Sequence, residues 1–338
     1  MKILIAGLGS IGRRHLRNLL ALGEKDILLY RTRRSTLPDD ELGDFPVATD
    51  LAEALDRQPD AVIIANPTAL HLETAILAAQ AGSHLLLEKP VSHTTEGIAA
   101  LRQAVQQGGG QVLVGFQFRF HPGLAQMAAW IAQGAIGRPL SFHAHWGEYL
   151  PDWHPWEDYR QGYSARSDLG GGVILTLSHP LDYLRWLLGE VDCLWAFASR
   201  SGGLEIDVED TAEIGLRFQN GIIGSVHLDY NQQPAAHTLE IVGTRGTLRW
   251  DNQDGSAALY QVEHGEWQRL FPENLSGLER PFERNDLFLA EMRHFLEVAR
   301  GEVEPACSLE DGIAALRLAL AAQQSAGQGE RITQLWNV

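Results

Sequence analysis

The sequence predicts an α/β amino-terminal domain built on a doubly wound parallel sheet, followed by an α+β domain with a large, mostly antiparallel open sheet. Three observations carry this reading. Short apolar runs alternate with stretches of helical period as far as residue 115, a glycine-rich turn follows the first run, and beyond residue 190 strand follows strand with turn signals between them. At roughly 100 to 200 residues per domain, a chain of 338 residues accommodates two such domains, 1–118 and 119–338.

The apolar runs are Lys2–Ala6, Asp26–Tyr30, Ala61–Ala65, His84–Glu88 and Gln111–Gly115. They are continuous rather than alternating, as parallel strands buried on both faces are. Between them lie helical patterns, one running to Leu22 and others at Leu70–Ala81 and Thr94–Gln107, several ended by glycine. After Phe120 a helix over Gly123–Gln133 leads to a strand over Leu140–Gly147 and an irregular aromatic segment. Three glycines from Gly170 then open a helix expected to continue to Trp186. From Val191 to Phe271 strands follow one another. Asn220-Gly221 between Thr211–Phe218 and Ile222–Tyr230 is a hairpin signal, and Thr244-Arg245-Gly246 is a second turn. Two helices, Asp286–Arg300 and Leu309–Ala322, close the chain.

Composition narrows the function. Lys and Arg total 27 against 43 Asp and Glu, a net charge of -16 that repels nucleic acid and anionic membranes. Cys193 and Cys307 are too few for a disulfide framework or a thiolate metal site and suit a reducing compartment. Glycines interrupt the opening apolar run short of a secretory signal, and no segment nears the ~18 apolar residues of a membrane span, so a cytoplasmic location is expected.

Gly7-Leu8-Gly9-Ser10-Ile11-Gly12 matches G-x-G-x-x-G directly after a strand and at the opening of a helix, the context that binds a dinucleotide pyrophosphate. At the end of the second strand, where an acid would bind the ribose 2′-hydroxyl of NAD, stand Arg31, Thr32, Arg33 and Arg34. Arginine forks suit a phosphate, so NADP is expected, with NAD the alternative and a solvated basic loop the structural one.

Asn66-Pro67-Thr68 with His71, and Glu88-Lys89-Pro90, lie at the same carboxyl edge, where the nicotinamide end would be. Hydride transfer to or from a carbon bearing oxygen also needs a proton moved. A lysine beside an oxidised nicotinamide has its ammonium form disfavoured by like charge, which suits Lys89 to that task; pairing with Glu88 is the plainer alternative. In the helix after the glycines, Thr176, His179 and Asp182 are spaced by three and share a face, so His179 is a candidate to relay a proton with Asp182 holding its ring.

Together these motifs, with Gly115-Phe-Gln117-Phe-Arg119, closely resemble the glucose-fructose oxidoreductase, inositol dehydrogenase and MocA family over nearly the whole chain. The resemblance implies an N-terminal Rossmann domain and a C-terminal domain whose open sheet forms the oligomer interface, hence a homodimer or homotetramer. It implies that Lys89 is the catalytic lysine, His179 the catalytic histidine, and Gln117 a neighbour of the nicotinamide. One departure stands out: the family's aspartate before the histidine falls on Leu175 or Thr176, leaving Thr176 or Asp182 for the relay.

The resemblance further implies an oxidoreductase acting on a secondary hydroxyl or ketone of a sugar, sugar derivative or cyclitol. Its rivals are a glycosidase of the same family that oxidises its substrate transiently with bound NAD, and a dinucleotide-sensing binding protein without turnover. Tyr149, Trp153, Trp156, Arg160 and Tyr163 are expected to meet the substrate, aromatic faces suiting sugar rings and Arg160 or Arg166 an anionic group; an arm packing on a neighbouring subunit is the alternative. His143 and His145 alternate on one strand face, but no third ligand follows at metal-site spacing, so no metal is expected.

Overall fold

The computed structural model describes residues 1–32 and 42–336. They form two compact units, one of residues 1–117, 168–170 and 285–313, the other of residues 118–167, 171–284 and 314–338.

The first unit holds strands β1 (Ile3–Ala6), β2 (Ile27–Tyr30), β3 (Val47–Ala48), β4 (Ala61–Ile64), β5 (His84–Glu88) and β6 (Val112–Gly115), with helices α1 (Ser10–Ala21), α2 (Leu51–Asp56), α3 (His71–Gln80) and α4 (Ile98–Gly108) between them. The strands pair parallel in the order β3-β2-β1-β4-β5-β6. Every residue of β1 and β4 is buried, which is why their sequences are unbroken apolar runs. The strand order reverses between β1 and β4. That reversal opens a crevice beyond their carboxyl ends, the ligand position of doubly wound sheets. Two-residue β3 is too short to leave a periodic signal.

The second unit holds α5 (Pro122–Ala132), β7 (Pro139–Gly147), α6 (Val173–Thr176), α7 (His179–Leu188), β8 (Val191–Ser199), β9 (Thr211–Phe218), β10 (Ile223–Asp229), β11 (Ala236–Gly243), β12 (Gly246–Asp251), β13 (Ala257–Gln261), β14 (Trp267–Leu270) and α8 (Pro272–Ser276). Among the described residues its sheet has eight strands in the order β14-β13-β12-β11-β7-β10-β9-β8. All pairs are antiparallel except β7 with β10. Burial alternates along β9, as expected for a sheet with one covered face. The Asn220-Gly221 hairpin forms as read.

One sequence expectation is revised. The helix expected from Gly170 to Trp186 breaks into α6 and α7 at Leu177 and Ser178. Pro180 has no N–H to give the Thr176 carbonyl and its ring would clash there, so one helix stops and another starts with proline in its first turn. The closing helices are α9 (Arg284–Ala299) and α10 (Leu309–Gln328). Most of α9 belongs to the first unit, where Phe288 meets the ring of His15 edge-on and Arg300 pairs with Glu24.

Candidate active site

The glycine turn is built for an anion. Gly7 has φ +99°, and a side chain there would come within 2.5 Å of the Asn66 amide nitrogen. Gly12 packs so closely on the turn that a Cβ would collide with the Gly7 carbonyl. At Gly9, by contrast, an added Cβ would meet nothing within 4 Å. Gly9 is the N-cap of α1, with no side-chain cap and no acid in the first turn. The N–H groups of Ser10, Ile11 and Gly12 thus open α1 with the positive end of its dipole, and the open space at Gly9 fits a pyrophosphate. Arg31 follows β2 and donates its backbone N–H to Ala48; Thr32 is exposed. Arg33 and Arg34 lie outside the described residues.

Beyond β4, Asn66 donates its side-chain amide to Thr74 Oγ1 at 3.0 Å, and Pro67 and Thr68 start the short turn that leads into α3. His71, expected to face the cofactor, is 1% exposed instead. Its Nδ1 lies 2.8 Å from the Pro90 carbonyl and its Nε2 2.9 Å from that of Asn66. Burial lowers its pKa, and a neutral ring, with its single N–H, donates to one of these two oxygens. The Lys89–Pro90 peptide bond is cis.

Glu88 also departs from expectation. Its carboxylate turns inward, with Oε1 2.7 Å from His15 Nε2 and Oε2 3.3 Å from the Lys89 backbone nitrogen. Buried Glu291 of α9 joins this cluster, its pKa raised by burial and then by the charge of Glu88. His15 and Glu291 were missed in the sequence; the available signal was an ionisable side chain on the apolar face of a helix. Lys89 stays half-buried at the strand end, and Gln117 is buried at the end of β6's extension.

In the second unit, His179 opens α7 and is 2% exposed. The Phe118 ring meets it edge-on at 4.9 Å, and Trp146 lies at 5.4 Å. Behind them Trp146 stacks on His237 at 4.2 Å, and Tyr183 reaches His237 Nε2 at 3.2 Å. Burial drives His237 well below its ordinary pKa and His121 down to about 3, so these rings are neutral packing groups. Such aromatic pairs contribute about 0.5–1.5 kcal/mol each beyond burial and hold the His179 ring in place.

Asp182 has a partner that its spacing did not reveal. Both its oxygens receive Arg119, Nε at 2.9 Å and Nη2 at 2.7 Å, in a buried bidentate pair. Three-residue spacing gives a shared helix face only within one helix, and here Thr176 lies before the break. Thr176 is 2% exposed. Arg160 is likewise committed, held by Asp158 and Glu205 rather than open to an anion. Of the aromatic candidates, Trp153 packs edge-on against Tyr230 at 5.5 Å, Tyr149 and Tyr163 are half-buried, and Trp156 is 65% exposed.

The comparisons agree with this architecture. A model of the oxidoreductase family with an NAD-binding Rossmann fold matches residues 1–116, and one of the GFO/IDH/MocA C-terminal domain matches residues 124–249. The chain is 30% identical to a 1,5-anhydro-D-fructose reductase of Ensifer adhaerens, over 81% of its own length and 80% of that protein's. It is 28% identical to a myo-inositol 2-dehydrogenase of Thermotoga maritima over 96% of both. A levoglucosan dehydrogenase solved with NADH and levoglucosan superposes with a TM-score of 0.87 over 98% of both chains at 23% identity, a likeness of fold.

Proposed function

The chain belongs to the GFO/IDH/MocA oxidoreductase family, and on that premise we propose that it moves a hydride between NADP and a secondary hydroxyl or ketone of a sugar, sugar derivative or cyclitol. The observation that carries this is the uncapped, open N-terminus of α1 at Gly9, on the same sheet edge as Lys89. A bound nicotinamide supplies the hydride acceptor or donor. The backbone of Gly9 to Gly12 holds its pyrophosphate, and Arg31, with Arg33 and Arg34, recognises the 2′-phosphate where NAD sites carry an acid. Lys89 takes the proton from the hydroxyl or returns it to the ketone, with His179 as its partner in proton transfer. Asn66, Pro67, Thr68 and Gln117 line the nicotinamide end, and Tyr149, Trp153, Trp156 and Tyr163 the substrate.

The carbohydrate class rests on the relatives, one named for anhydrofructose and one for inositol. Exposed Trp195, Phe197 and Ile223 on the open sheet support a homodimer or homotetramer through that face. Two buried free cysteines agree with a cytoplasmic home.

The test is a panel of sugars, sugar nucleotides and cyclitols, read at the reduced-nicotinamide absorbance band with either cofactor. Substrate-dependent change with NADP is expected. Arg31→Asp should shift preference toward NAD, since losing one bond to a charged phosphate weakens NADP binding roughly ten- to a hundredfold. No turnover with any substrate would defeat the enzyme reading, and equal use of NAD by parent and variant would defeat the NADP assignment.

A further inference from the structure

The parallel pairing of β7 with β10 sets His145 opposite His227 on the outer face of the second unit's sheet. Their rings stack with centroids 4.8 Å apart and planes 15° from parallel. Asp229, two residues beyond His227, places Oδ2 3.2 Å from His227 Nε2. Its other oxygen, Oδ1, accepts the backbone N–H groups of Asn231 and Gln232 at 2.8 and 2.6 Å, which fixes the carboxylate. The Gln232 side-chain oxygen contacts His145 Nε2. Space for this arrangement exists because the residue opposite Asp229 is Gly147, where a Cβ would collide with Asp229 Oδ2 and the Gln232 side chain.

We propose that His145, His227 and Asp229, with the Gln232 amide oxygen as fourth ligand, form a zinc site on the outer face of this sheet. The ligand atoms of the first three lie within 4.8 Å of one another. A tetrahedral ion with bonds of about 2.0–2.2 Å needs its ligand atoms roughly 3.3 Å apart, so small side-chain rotations close the site. Two imidazoles with oxygen donors form a borderline set that suits zinc over magnesium or calcium. Glu213 Oε2 sits 2.9 Å from His227 Nδ1, the carboxylate-behind-histidine arrangement that fixes the tautomer and leaves Nε2 for the metal. Successive strand residues point to opposite faces, so His145 faces away from Trp146 and the His179 cluster it supports. The ion would therefore pin the sheet's parallel pair and take no part in hydride transfer.

The experiment is calorimetric titration of zinc into the chelator-treated full-length protein. One equivalent should bind with a dissociation constant on the order of 1 μM or tighter. His145→Ala and His227→Ala should each weaken binding by at least about 100-fold, and Glu213→Gln by roughly 10- to 100-fold. Cobalt in place of zinc should give the intense visible bands of a tetrahedral centre in the parent and lose them in His145→Ala. Should His227→Ala not fold, His145→Ala, on an outer-facing position, decides alone. No zinc uptake would overturn the proposal and leave His227 an ion-pair partner of Glu213 and Asp229; undiminished uptake by folded His145→Ala would also overturn it.

Discussion

Glu88 and Lys89 are neighbours with opposite surroundings. The glutamate is drawn in by His15, whereas the lysine stays half-buried at the strand end. If Lys89 is the proton-transfer group, Lys89→Ala should lower kcat roughly 10²- to 10⁴-fold while the dinucleotide still binds, as steady-state kinetics with a cofactor titration would record. Adding His179→Ala should then cost less than its separate effect, because groups acting as one unit are not additive. Fully additive losses would reduce His179 to packing. Glu291 makes a separate prediction. Its folded pKa is raised well above 4.5 by burial and Glu88, so the folded chain keeps a proton that the unfolded chain has released. The stability from that proton is complete below about pH 4.5 and is lost as pH rises toward the folded value. Glu291→Gln keeps the shape without the proton and should flatten the fall in melting temperature as pH rises above about 4.5. Parallel curves for the two proteins would mean the carboxyl is not held neutral.

Among the secondary-structure elements, the α6–α7 break shows how one proline and one half-buried acid shape a site. Gly172 caps α6 at φ +104°, and a Cβ there would lie 2.5–2.7 Å from the Glu209 carboxylate. Glu209 in turn receives the Ile174 backbone N–H at 3.3 Å and the Gln323 side chain, and burial raises its pKa. Gly172→Ala should destabilise the protein by about 1–3 kcal/mol from backbone conformation alone. Glu209→Ala on that background should relieve the clash without recovering the conformational part. Urea unfolding of the parent and the two variants measures both contributions, and a Gly172→Ala protein as stable as the parent would show that the backbone there relaxes.

For the chain as a whole, the second unit's open sheet face is the surface on which the proposed self-association can be tested. Phe197 is 61% exposed, Ile223 56% and Trp195 41%, an apolar set that monomers seldom display. Phe197→Asp with Ile223→Asp should convert the proposed homodimer or homotetramer to smaller species in light scattering after size-exclusion chromatography. A parent protein that is monomeric, or a variant of unchanged mass, would move the interface elsewhere or remove it.

Local pattern was enough for the parallel sheet, the glycine turn, the Asn-Gly hairpin and the candidacies of Lys89 and His179, because periodicity and turn chemistry are set within a few residues of each other. Partnerships between distant residues were not legible. Asp182 receives Arg119, 63 positions away; Glu88 looked outward and instead binds His15, 73 away. His145 stands opposite His227, 82 positions away, only because a parallel register pairs their strands. Sequence spacing encodes which face of an element a side chain occupies, but which two faces meet depends on how the strands and helices pack, and that is where buried charges find the partners that offset their desolvation.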